Sequence, residues 1–170
     1  MLFSLSLSHP IDALYFPGPR LVDRSLPYLG EHTINLRIVG SVQFDKNRKP
    51  RKERFFKGRE MLSSSVIRHI SENCPNIETL VLDRCVIGPH IKTSQLPLKL
   101  KVLTLRSAIF VRRASFFDNI WKNLKHLQEL RIENLQNFRK ADCYAVIESR
   151  DIDFDIKSLD GFCFIFYRKL

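Results

Sequence analysis

The sequence contains no apolar run near the roughly 18 residues that a membrane-crossing helix needs, which excludes a helical span. Glycine is scarce, at six in 170 residues, and proline numbers eight, which excludes collagen-like and low-complexity chains. The four cysteines, Cys74, Cys85, Cys143 and Cys163, lie far apart with no Cys-x-x-Cys pair, so no disulfide framework is expected. No basic stretch precedes the short apolar start MLFSLSLSHP and no small-residue cleavage site follows it, so we expect no secretory signal. The implied setting is reducing and intracellular, in the cytoplasm, the nucleus or both.

Catalytic signatures are missing too. The chain has no Gly-x-Ser-x-Gly elbow, no His-Glu-x-x-His pair, no phosphate-binding loop and no glycine-rich dinucleotide turn. Cys85 and His90 are five apart, but two candidate ligands do not make a zinc site, and Cys85 has a packing role in the repeat described below. The carboxylates Asp83, Glu129 and Glu133 fall on an open surface without a pocket to exclude water. The expectation is no catalytic residue, no metal and no cofactor.

What is present is apolar content, charge and repetition. Apolar residues make up 44% of the chain and phenylalanine alone accounts for 13 positions, enough to fill a single core. Lys and Arg exceed Asp and Glu by 28 to 18, a net charge of +10. Most of that excess sits in one segment, KNRKPRKERFFKGRE from Lys46 to Glu60, which holds eight basic and two acidic residues. The high isoelectric point therefore reports one loop, here bounded as 45–60. Three readings fit Lys46, Arg48, Lys49, Arg51, Lys52 and Arg54: a solvated insertion that aids solubility, a nuclear-localisation signal, or a nucleic-acid patch with Phe55 and Phe56 as stacking groups.

Three segments superimpose without gaps. Ile77-x-x-Leu80-x-Leu82-x-x-Cys85-x-Ile87 is followed by Leu100-x-x-Leu103-x-Leu105-x-x-Ala108-x-Phe110 and by Leu127-x-x-Leu130-x-Ile132-x-x-Leu135. They fit the leucine-rich-repeat template, and the steps of 23 residues (Leu80 to Leu103) and 27 residues (Leu103 to Leu130) fall in its range. A weaker copy places Leu36 and Ile38 44 residues before Leu80, and Leu2-x-x-Leu5-x-Leu7 resembles an opening strand. Between strands the period becomes helical: Val66, Ile67 and Ile70 share a face with Ser63 or Ser64 as cap, and Phe116, Phe117, Ile120, Trp121, Leu124 and Leu127 form a wide apolar stripe. These patterns predict an α/β leucine-rich-repeat solenoid over residues 1–138, with a parallel concave sheet and helices on the convex side. In the tail, 139–170, Ile152, Phe154 and Ile156 alternate, Asp160-Gly161 supplies a turn pair, and FCFIFY follows, which predicts a C-terminal β-hairpin. Two readings of that tail stand: a cap over the last repeat, or an aggregation-prone non-native terminus.

The stretch ISENCPNIETLVLDRCVIGPHIKTSQLPLKLKVLTLRS resembles the repeats of the F-box/leucine-rich-repeat protein family, in which CPNL-type motifs precede each strand. The resemblance runs from about Leu5 to Phe138. It implies selection of substrate proteins for a Skp1–cullin–F-box ubiquitin ligase, with ubiquitin transferred by a separate enzyme. The helical F-box that docks Skp1 is not found before Leu2, so binding to Skp1 and cullin is expected only where such a module precedes this chain. We expect the sequence to be the middle of a larger protein.

In-register strands would place Arg37, Val81, Thr104 and Arg131 in one lateral column, and Val39, Asp83, Arg106 and Glu133 in the next. Asp83, Arg106 and Glu133 then alternate in sign. Two readings follow for Arg37, Asp83, Arg106, Arg131 and Glu133: a self-satisfied surface ladder, or a partner-binding face in which Arg106 and Arg131 offer donors to an acidic peptide. The expected partners are substrate proteins, with neither nucleic acid nor membrane favoured.

Overall fold

The computed structural model describes residues 12–15, 29–40, 61–111, 114–135, 154–159 and 163–169. The basic segment Lys46–Glu60, the opening strand at 2–7 and the 138/139 junction lie outside these residues.

A Leu-x-Leu alternation forms each central strand, because period 2 sends the two apolar side chains to one face. Strands β1 (Asp12–Tyr15), β2 (Asn35–Val39), β3 (Met61–Leu62), β4 (Thr79–Asp83), β5 (Val86–Ile87), β6 (Val102–Arg106), β7 (Ile109–Phe110), β8 (Glu129–Glu133), β9 (Phe154–Leu159) and β10 (Cys163–Arg168) make two sheets. The larger runs β1-β2-β4-β6-β8-β10-β9, and the smaller runs β3-β5-β7. β1 through β8 of the large sheet are parallel, with Leu36, Leu80, Leu103 and Leu130 side by side and Ile38, Leu82, Leu105 and Ile132 beside them. All eight are fully buried. At about 1.5–3 kcal/mol per buried aliphatic side chain, these two rows form the floor of the core. Phe164 and Phe166 of β10 extend the rows opposite Ile132 and Leu130.

Helix α1 (Ser64–Asn73) covers this floor with Ile67 and Ile70, and the Ser63 hydroxyl accepts the Val66 N–H to cap its first turn. Its partners are short. The segment between β5 and β6 is bracketed by Pro89 and Pro97 and holds only a 3-10 turn, Thr93–Gln95. The segment between β7 and β8 is split into α2 (Ala114–Phe117) and α3 (Ile120–Asn123) by Asn119, whose φ of 54° is left-handed. The returns are stitched side by side. Ser71 Oγ donates to the Gln95 carbonyl at 2.6 Å, and Asn123 Nδ2 donates to Thr93 Oγ1 at 2.8 Å. Trp121 and Phe116 fill the space beneath, with Phe110, Phe116 and Phe117 ring centroids 4.9–5.6 Å apart.

These features overturn the predicted solenoid with an all-parallel concave sheet and helices along its convex side. The large sheet is mixed, because β10 runs antiparallel to both β8 and β9. The helices are few: one of ten residues and two of four among the described residues. Proline placement explains one missing helix, since a ring lacking N–H breaks the helical ladder. A left-handed asparagine explains the other interruption. The structure is a mixed α/β fold with a seven-stranded mixed sheet.

The strand ends share one device. Arg84, Ser107 and Asn134 follow β4, β6 and β8 with φ of 53°, 49° and 50°. Gly40 occupies the corresponding place after β2. Their amides step across the sheet: Gly40 N–H donates to Asp83 O at 2.7 Å, Arg84 N–H to Arg106 O at 2.9 Å, and Ser107 N–H to Glu133 O at 2.8 Å. The turn then drops Cys85, Ala108 and Leu135 back into the core. The Cys85 thiol is shared between the carbonyls of Ile38 and Asp83, 3.4 Å from each, and so ties β4 to β2. Burial pushes that thiol up to about 12, leaving it protonated and inert.

Candidate protein-interaction surface

The same alternation that buries the leucines sends the intervening residues to the opposite face. Register places Arg37, Val81, Thr104, Arg131, Ile165 and Lys157 in one lateral row. The neighbouring row reads Val39, Asp83, Arg106, Glu133, Cys163 and Leu159. Thr104 and Ile165 are buried in the first row, so it has a low floor of Val81, Thr104 and Ile165 between long charged side chains.

Ion pairs cover this face. Arg106 Nε donates to Glu133 Oε2 at 2.6 Å and its Nη2 approaches Oε1 at 3.4 Å, a two-point contact across β6 and β8. The hydrogen bond it donates to the Glu133 carboxylate holds the Arg106 guanidinium above its ordinary range. Arg37 reaches diagonally to Asp83, and Arg84 Nε stands 3.7 Å from the other oxygen of that carboxylate. Asp83 is 4% exposed, so two guanidiniums converge on one buried carboxylate. Arg37 Nε is itself buried with no hydrogen-bond partner. Arg131 pairs with Glu129 of its own strand.

The five predicted face residues, Arg37, Asp83, Arg106, Arg131 and Glu133, thus share one surface. Their pairing differs from simple lateral alternation: Asp83 takes Arg37 and Arg84, while Arg106 takes Glu133. Glu129 as the partner of Arg131, and the extension of the face by Ile165 and Lys157, are additions from the structure. The FCFIFYR alternation carried the signal for β10, but its parity relative to β8 is set only by the pairing register. Lys46, Arg48, Lys49, Arg51, Lys52 and Arg54 lie outside the described residues.

Chemically, the face suits recognition by exchange of ion pairs. Asp83, Glu129 and Glu133 on this face each pair with an arginine. Among the described residues, no cluster of three or more His, Cys, Asp or Glu side chains is placed to hold a metal ion. No described helix is long and apolar enough to cross a membrane. Comparison with protein-family models, with curated proteins and with solved structures finds no match.

Proposed function

We propose that this chain is a protein-recognition module that takes a partner protein on the charged face of its large sheet. The observation that carries the proposal is the paired, outward-facing set Arg37–Asp83, Arg106–Glu133 and Arg131–Glu129 spread over four adjacent strands. The arginine side chains are 37–44% exposed while Asp83, Glu129 and Glu133 are largely covered, so the guanidiniums are the groups a partner meets first. An interface built on them gains specificity and association rate from charge complementarity. The resemblance of the repeat motifs to F-box/leucine-rich-repeat proteins supports a substrate-selecting role in a ubiquitin ligase, in the cytoplasm or nucleus. Association with Skp1 and cullin would require an F-box joined to this chain.

Proximity labelling in cells with the wild-type chain and with the R106E/R131E variant tests the reading. We expect a defined set of neighbouring proteins, of which those contacting the face are depleted in the variant. Neutralising Lys46, Arg48, Lys49, Arg51, Lys52 and Arg54 should leave that set in place. Loss on neutralising the basic segment instead, with binding that weakens steeply as salt rises, would replace this reading with nucleic-acid binding.

A further inference from the structure

The last strand of the large sheet, β9, pairs with β10 on one side and with no strand on the other among the described residues. Its middle residues Asp155, Ile156 and Lys157 are exposed. Ile156 belongs to the core face, opposite the fully buried Phe166, yet it is 45% exposed, with no described strand beyond it. Asp155 and Lys157 lie on the charged face, where Asp155 meets Lys169 at 3.2 Å and Lys157 lies 5.4 Å from the centre of the Tyr167 ring. Asp155, Lys157 and Lys169 are exposed and Tyr167 is half-buried, an arrangement compatible with a further strand alongside.

We infer that β9 is a self-association edge, whose occupant is β9 of a second copy of this chain in antiparallel register centred on Ile156. Side-chain alternation restricts the choices. Residues directly opposite one another across an antiparallel pair share a face, so a twofold axis must pass through a residue position. Centring on Asp155 sets carboxylate against carboxylate, and centring on Lys157 sets ammonium against ammonium. Centring on Ile156 sets Asp155 of each copy opposite Lys157 of the other, and sets the two half-exposed isoleucines against each other on the core face. Parallel in-register pairing repeats both like-charge contacts and is disfavoured. An edge bearing lysine alone repels its own kind, which is a common protection against edge pairing. The Asp-x-Lys spacing around an apolar residue converts that protection into self-complementarity. The axis stands perpendicular to the sheet, so a continuous sheet of fourteen strands would present the charged faces of both copies on one side. This inference does not depend on the recognition role.

Sedimentation velocity of the full chain over a concentration series reads the association directly. The wild type should shift from monomer to dimer as concentration rises. D155K should weaken dimerisation by about tenfold or more, since lysine then faces lysine at both ends of the pair. The double variant D155K/K157D restores opposite charges and should restore dimerisation. Both positions are exposed, so far-ultraviolet circular dichroism should be unchanged in all three proteins. A wild type that stays monomeric overturns the inference. So does a dimer indifferent to D155K, which would place the contact elsewhere, or a double variant no better than D155K.

Discussion

Gly40 tests whether the close approach of β2 and β4 is enforced by an absent side chain. A Cβ at this position would lie 2.3 Å from the Arg84 carbonyl oxygen, 2.8 Å from Cys85 Cα and 2.9 Å from Arg84 C. All three are backbone atoms, so no rotamer change relieves the clash. Restoring normal contact requires a separation of about 1 Å, which stretches the 2.7 Å bond from Gly40 N–H to Asp83 O out of the normal range. The lost bond costs about 0.5–1.5 kcal/mol and the overpacking about 1–3 kcal/mol, so Gly40→Ala should destabilise by about 1.5–4.5 kcal/mol. For a chain of this size the melting temperature should fall by about 3–18 °C. Gly30→Ala is the matched control, because its Cβ would meet only the movable His32 ring at 3.2 Å. Urea and thermal unfolding of both variants supply the comparison. A Gly40→Ala protein within about 0.5 kcal/mol of wild type, or no worse than Gly30→Ala, would refute the reasoning.

Two further outcomes concern the same strand ends. Ser107→Gly should stabilise by about 0.5–1 kcal/mol in urea unfolding, because a serine at φ 49° bears a left-handed strain that glycine lacks, partly offset by glycine's unfolded-state entropy. Asn134→Gly should gain less, since asparagine tolerates that conformation better. The Cys85 thiol, protonated in the fold to about pH 12 against an ordinary value of 9.0, contributes stability fully present below pH 9. That contribution falls between pH 9 and 12, because the unfolded chain releases its proton first, at about 1.4 kcal/mol per pH unit. The stability of Cys85→Ala should therefore decline less steeply than wild type over that interval. In native wild type the Cys85 thiol should resist alkylation at pH 8, and labelling there would contradict its burial.

Several structural particulars were legible in the residues because they depend on short-range periodicity. The gapless spacing of Leu80, Leu103 and Leu130 matches their lateral register, and so does the weaker copy at Leu36. The inward place of Cys85 follows from its position in the same template. Other features depend on contacts far apart in sequence. β1 has only four residues, DALY, too few for any alternation to be distinctive. The stripe from Phe116 to Leu127 reads as one helix, but it is interrupted at Asn119, whose backbone is left-handed. Helical content is lower than the pattern predicts, because that stripe is broken into two four-residue pieces and the return bounded by Pro89 and Pro97 holds only a 3-10 turn.

Taken alone, the amino-acid order determined which side chains are apolar, how often they recur and which face of each strand they share. It also determined the local stops, from the Ser63 cap to the prolines, since these act within a few residues. Tertiary structure decided the direction in which β10 joins β8, the choice of Arg37 rather than Arg106 as the close partner of Asp83, and the exposure of Ile156 at the sheet edge. Each of those depends on which strands lie side by side. Pairing between segments distant in sequence is settled by burial of the whole core, and a strand's own pattern is the same whichever neighbour it meets.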